Sequence, residues 1–375
     1  MTVELKNVAD QVIVITGASS GIGLVTAKMA ARRGARVLLA ARNERALERA
    51  VAEIEAEGGR AVYVVADVAE PDEVEEVAEA AVEEFGGIDT WVNGAASSIY
   101  GRLDEVKLED KRRLFDVNFW GTVHGCRSAL PRLRERGGVI INIGSVLSDV
   151  AAPLQGMYSA TKHAVKAYSD ALRVELEEAE VPVAVCVVKP TSIDTPFFQH
   201  AKNYMEEEPQ PLPPVYAPEV VAETILACAE DPKREIIVGG AGKMFSSMRK
   251  RSVTLTDKYL KRSGFEDQKA GVPPQRSRDG NLWKATDEFD GEERGLWDGH
   301  VMNSSLYTKA ALHPLVTTLA AAGVGLAIVA GIQAVRMRRR GDDVEGEMGG
   351  DGRRTGVSDS AEARLHVPGG REAGR

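Results

Sequence analysis

Tyr158 and Lys162 bracket the pentapeptide YSATK, inside a stretch from 156 to 178 (GMYSATKHAVKAYSDALRVELEE) whose apolar residues recur at helical spacing. Positions i and i+4 are neighbours on a helix, so both side chains leave one face. A phenol with a pKa of about 10 is a poor acid or base at neutral pH, and a nearby ammonium favours its ionised form. Two unit charges about 4 Å apart interact by on the order of 4 kcal/mol at an effective dielectric near 20, or about three pH units. The pair can therefore be a tuned proton donor, or two neighbours without chemistry. Ser145, in INIGSVLS (141 to 148), lies 13 residues before Tyr158. Its hydroxyl could stabilise charge developing on an oxygen, or merely end a strand.

A second cluster suits a phosphate. The apolar run VIVIT (12 to 16) leads into TGASSGIG (16 to 23). Glycines at 17, 21 and 23 permit a tight turn and let backbone N–H groups approach an anion at a helix N-terminus. The spacing is not G-x-G-x-x-G, and such a turn alone is equally a plain turn.

These groups need a frame, and the first 240 residues supply one. Short β-branched runs alternate with amphipathic helical patterns, which predicts an α/β fold with a Rossmann-type, doubly wound parallel sheet. Seven strands are expected: Val12 to Thr16, Arg36 to Ala40, Ala61 to Ala66, Thr90 to Asn93, Gly138 to Ile143, Pro182 to Val188 and Glu235 to Val238. Between the sixth and seventh, residues 195 to 219 read as a loop-and-helix cover over the strand ends, where such sheets bind ligands. Its Phe197, Phe198, Tyr204, Met205, Leu212 and Tyr216 favour a hydrophobic ligand, although a cover also needs a core of its own.

Taken in order, these motifs resemble the short-chain dehydrogenase/reductase family over about residues 7 to 240. The resemblance implies a nicotinamide cofactor held by Gly17, Ser19, Ser20, Gly21, Ile22 and Gly23, with Asp67 and Val68 at the adenine. VNGAA (92 to 96) stands where the family usually has Asn-Asn-Ala-Gly; Asn93 fits, while Gly94 and Ala96 depart from it. KPTSIDTP (189 to 196) matches the segment that holds the carboxamide, placing Pro190, Ile193 and Thr195 at the cofactor, with Thr191 where glycine is common. The implied catalytic set is Asn118 (from DVNFWG), Ser145, Tyr158 and Lys162. Tyr158 is the general acid or base and Ser145 hydrogen-bonds the reacting oxygen. Lys162 also binds the nicotinamide ribose, and Asn118 holds a water linking Lys162 to solvent.

VLLAARNE (37 to 44) puts Ala41 where the family's NAD-type aspartate falls, with Arg42 beside it. A 2′-phosphate needs a cation, so NADP(H) is expected over NAD(H). The expected function is an NADP(H)-dependent oxidoreductase interconverting a carbonyl and a secondary or primary alcohol on a hydrophobic substrate. The alternatives are a lyase or epimerase using the same bound cofactor, and a non-catalytic nucleotide-binding scaffold.

The chain has 375 residues and a formal net charge of −9. Its acids lie mostly on helical faces such as residues 70 to 87, which speaks against a nucleic-acid partner. Three scattered cysteines, Cys126, Cys186 and Cys228, suit neither a disulfide framework nor a metal site, so no metal is expected. MTVELK (1 to 6) lacks the apolar run of a secretory signal.

Beyond the catalytic domain (1–240) we expect a basic and polar extension or linker (241–312), a candidate transmembrane or anchoring helix (313–336) and a disordered tail (337–375). Residues 242 to 265 carry seven Lys/Arg against one Asp, and 266 to 305 read as an irregular, partly disordered linker. The 21 residues from Leu315 to Val335 carry no charge, enough to span about 30 Å. By the positive-inside rule, Arg336, Arg338, Arg339 and Arg340 would keep the tail in the cytoplasm. The missing signal, the cofactor and the basic stretch instead favour a catalytic domain on the cytoplasmic side; a re-entrant or interfacial helix would satisfy both signals. A homo-oligomer is also expected.

Overall fold

The computed structural model describes residues 5–274, 277–286, 291–313 and 317. Seven strands form one sheet: β1 Val12–Thr16, β2 Arg36–Ala41, β3 Arg60–Val65, β4 Thr90–Asn93, β5 Gly138–Ile143, β6 Val183–Pro190 and β7 Glu235–Val238. Their order is 7-6-5-4-1-2-3 and every pairing is parallel. The central strands are buried throughout, as runs of Val and Ile covered on both faces require.

Helices cover both faces. On one side α1 (Gly21–Arg32), α2 (Glu44–Ala56) and α7 (Pro218–Glu230) meet the core at Leu24, Leu47 and Ile225. On the other, α3 (Pro71–Phe85), α5 (Gly121–Leu133) and α6 (Gly156–Glu178) meet it at Val77, Ala129 and Leu172, with the short α4 (Leu108–Phe115) between α3 and α5 in the chain. Thr16 pairs with both Ala40 and Asn93, and Asn93 pairs with Asn142, so the strands end in register along one edge. The loops leaving that edge carry the predicted chemistry.

The segment after β7 is a correction to the linker expectation. Helices α8 (Gly240–Arg251) and α9 (Val253–Arg262) follow at once, and Ser246 of α8 donates to Asp149, the partner of the fully buried Lys189. From 266 onward the chain is irregular yet packed onto the catalytic domain. Leu282 is fully buried in a cluster with Ile99, Leu114 and Tyr158. Val301–Met302 joins a small sheet with Val215–Tyr216 and Ser192–Ile193, and α10 (Leu306–Leu312) offers Thr308 Oγ1 to the Gly239 N–H. The stretch is polar because hydrogen bonds and ion pairs, such as Lys28 with Glu293 and Arg294 with Glu219, rather than an apolar stripe, hold it in place. The expected membrane helix and tail lie outside the described residues, His313 and Thr317 excepted.

Candidate active site

The carboxyl edge of the sheet opens into a cleft of ≈ 660 Å³. Every predicted site residue lines it except Asn93 and Asn118.

At one end lies the glycine turn. Gly17 and Gly21 have φ of +71° and +52°, which favour glycine. A Cβ on Gly17 would stand 2.6 Å from Ala95 Cα, and one on Gly23 would stand 2.2 Å from the Gly17 carbonyl oxygen. The turn is thus pressed against the β4 loop, and Gly17 and residues 19 to 23 line the cleft at the start of α1. This cradle fits a dinucleotide pyrophosphate. The departure at Gly94 has a reason: a Cβ there would lie 2.6 Å from the Thr16 carbonyl oxygen. Thr16 Oγ1 accepts from the N–H groups of Gly94 and Ala95, which fixes that strand end without the family's usual asparagine.

Asn93 is turned away from the cleft. Its amide donates to Asn142 Oδ1 at 2.8 Å and its oxygen accepts from the Trp91 indole at 2.8 Å. It braces β4 against β5 from below. Asn118 sits in a π-helical turn, Asp116–Trp120, a feature that often marks functional sites. Its side chain is consumed by protein: Oδ1 accepts from Ser97 N at 2.9 Å, and Nδ2 donates to Ser97 O and to Thr161 Oγ1, each at 3.0 Å. It fixes the β4 loop to α6.

At the centre, α6 buries Tyr158, Thr161, Lys162 and Val165, a stripe at helical spacing. Ser145 ends the β5 loop and caps the one-turn helix Val146–Ser148, its Oγ accepting from Leu147 N at 3.1 Å. The Ser145 hydroxyl stands beside that of Tyr158, close enough to favour the ionised phenol. Lys162 donates to the Ile143 carbonyl at 2.7 Å and stands 5.7 Å from the centre of the Tyr158 ring.

The electrostatics differ from the sequence expectation. Burial raises the Tyr158 pKa well above that of a free phenol, the Ser145 hydroxyl opposing it. Burial also lowers Lys162 from 10.5 to about 8. Desolvation sets the direction for both groups, because both are taken out of water together. Tyr158 therefore keeps its proton at neutral pH and is poised to donate it. Lys162 titrates near physiological pH, as a group that passes protons should.

The nucleotide end holds residues that the sequence did not mark. Arg42 bonds the Asn281 carbonyl and stands 3.8 Å from Asp67, and Arg113 pairs with Asp67 and donates to the Leu282 carbonyl at 3.2 Å. Asn281 Oδ1 accepts from Ser97 Oγ at 3.0 Å, and Asn43 donates to the Thr286 carbonyl at 3.2 Å. At the glycine turn Gly21 N donates to Glu292 O at 2.9 Å, and Gly291 N to Ser19 O at 3.1 Å. The C-terminal extension therefore borders the nucleotide end of the cleft, bonding mainly through its backbone. No local signal in a polar, Gly-rich stretch announces this.

A family model described as short chain dehydrogenase matches residues 11–206. An uncharacterized oxidoreductase of Bacillus subtilis, YxnA, is 41% identical over 324 residues, covering 86% of this chain and 90% of that protein. The 1-deoxy-11-beta-hydroxypentalenate dehydrogenase of Streptomyces exfoliatus is 38% identical over 190 residues, 50% of this chain and 68% of that protein. Among solved structures, a short chain dehydrogenase/reductase from Burkholderia phymatum in complex with NAD has a TM-score of 0.60 at 27% identity, covering 68% of this chain and 96% of the other. An alcohol dehydrogenase from Thermococcus sibiricus complexed with 5-hydroxy-NADP has a TM-score of 0.53 at 28% identity, covering 60% of this chain and 95% of the other.

Proposed function

Because this chain belongs to the short-chain dehydrogenase family and is an oxidoreductase, we propose that it interconverts a carbonyl and a secondary or primary alcohol on a hydrophobic substrate, with NADP(H) as cofactor. The observation that carries the reading is the convergence of a protonated Tyr158, its Ser145 partner and a buried Lys162 on a cleft that also holds a dinucleotide cradle.

The cofactor, when bound, supplies or removes a hydride at its nicotinamide. The chain's own groups handle the proton and the charge. Tyr158 Oη gives its proton to the substrate oxygen, or takes it in the reverse direction. Ser145 Oγ holds that oxygen and steadies the charge on it. Lys162 Nζ, near its titration point, is suited to restore the tyrosine proton. Phe197, whose ring centre lies 5.4 Å from that of Tyr158, helps keep water away. The cleft's further lining by Phe198, Leu212, Met244 and Phe245 supports an apolar substrate.

The discriminating experiment follows reduced-nicotinamide absorbance against a panel of aliphatic and cyclic ketones and aldehydes. Stoichiometric consumption is expected; product without consumption would mark a lyase or epimerase, and no turnover of any substrate would favour a scaffold.

NADP(H) rests on Arg42 at the edge of the cleft. A charge-assisted contact to phosphate is worth roughly 1.5 to 3 kcal/mol. Arg42→Ala should therefore weaken NADPH binding about tenfold or more and leave NADH nearly unchanged, as read by titration of cofactor fluorescence. Equal loss for both would mean that Arg42 acts only by holding the backbone at 281 and 282.

We also propose attachment to a membrane through residues 315 to 335, with the catalytic domain on the cytoplasmic side, and a homo-oligomeric state. The 21-residue uncharged run supports the attachment; among the described residues no helix is long and apolar enough to cross a bilayer. Fractionation of full-length protein, with protease added to sealed membranes, tests both position and orientation; recovery in the soluble fraction without detergent would rule out the anchor. Sedimentation in mild detergent tests the oligomer, and a monomer mass would refute it.

A further inference from the structure

The helix pair α8–α9 does two jobs at once. Met244, Phe245, Tyr259 and Leu260 line the cleft that holds Tyr158. Yet Met244 is 72% exposed and Tyr259 50%, so these residues stand at its rim. Beside them Val253 and Leu255 are 53% and 56% exposed. Leu255 and Tyr259 are i,i+4 neighbours on α9, flanked by the exposed Lys258 and Arg262. Of the seven Lys/Arg between 242 and 265, Arg249 alone is ion-paired among the described residues, with Asp257 at 2.8 Å. The remaining six (Lys243, Lys250, Arg251, Lys258, Lys261 and Arg262) leave a strongly basic patch on a chain of net charge −9.

Such a patch, studded with apolar side chains at the mouth of an apolar cleft, complements one kind of surface. We propose that the α8–α9 face docks on an anionic lipid bilayer and that the substrate is a membrane-dissolved carbonyl or alcohol entering the cleft past Met244 and Tyr259. This rests on the oxidoreductase reading above and deepens it by naming where the substrate is taken from. Cationic residues bring the face to the headgroups, and Val253 and Leu255 insert below them. The cleft mouth then opens where an apolar substrate is most concentrated. The apolar run from 315 to 335 follows α10 closely enough in sequence to keep this domain near a membrane.

The test uses the full chain and a local reporter, so that binding through residues 315 to 335 does not obscure the result. Cys126, Cys186 and Cys228 are buried, and Val253→Cys accepts an environment-sensitive dye selectively. The expected result is a blue shift with phosphatidylglycerol-containing vesicles, none with pure phosphatidylcholine vesicles, and none with soluble polyphosphate. In parallel, the variant K250E/R251E/K258E/R262E should reduce a short water-soluble ketone as the wild type does, but lose at least about tenfold in kcat/KM on a long-chain ketone presented in anionic vesicles. The same loss should appear for the wild type in high salt. No shift with anionic vesicles, an equal shift with neutral ones, or an unchanged vesicle rate in the variant would overturn the docking surface. Absence of turnover on either ketone would instead refute the proposed reduction of apolar ketones, while the dye still decides the surface.

Discussion

Tyr158→Phe is expected to lower the rate of carbonyl reduction by at least 10² and up to about 10⁴, the range that a positioned general acid contributes. The substitution removes one oxygen. It keeps the ring that packs against Phe197 and in the cluster with Leu114 and Leu282. The phenol is buried and protonated, so its loss takes away the proton that the substrate oxygen would receive, together with Ser145's partner. Stopped-flow measurement of a single hydride transfer isolates the step, and cofactor titration should show nearly unchanged binding. Near wild-type transfer in the Phe variant would mean that another group supplies the proton.

Lys162→Met should reduce kcat/KM by at least about 10² under the same assay, because the variant loses the cation beside Tyr158 and the group that restores its proton. It also carries a signature that activity alone would not reveal. In the folded protein burial lowers Lys162 from 10.5 to about 8. Between those values the unfolded chain still binds the proton that the folded chain has released, so stability rises with pH across this window. At 1.36 kcal/mol per pH unit the full increment is about 3 kcal/mol. Urea unfolding at pH 7.5 and pH 10 should show the wild type gaining most of it relative to Lys162→Met. Parallel pH dependence in the two proteins would show that Lys162 is not desolvated as the geometry implies.

Much of this molecule follows from local pattern. β-branched runs alternating with amphipathic helices are enough for a parallel sheet, since strands covered on both faces must be apolar throughout. Val12–Thr16, Thr90–Asn93, Gly138–Ile143 and Glu235–Val238 form strands with the expected bounds. The glycine turn is equally local: positive φ at Gly17 and Gly21 is a demand that few other residues meet. Tyr158 and Lys162 share a face because i and i+4 always do.

Other features depended on groups far apart in sequence. Asn93 and Asn118 could equally have faced the cleft; the indole of Trp91, the amide of Asn142 and the backbone of Ser97 drew them elsewhere. The proton affinities of Tyr158 and Lys162 were set by how completely the cleft removes both from water, which no five-residue spacing encodes. The extension after Gly240 shows the same division. Its basic composition was plain in the amino-acid order, whereas its course along the nucleotide end rests on long-range hydrogen bonds from the Arg42 and Arg113 side chains and the Gly21 N–H to its backbone carbonyls. Periodicity registers buried side chains, and a segment held mainly through hydrogen bonds and ion pairs has few to register, so only the tertiary structure could bring it to the site.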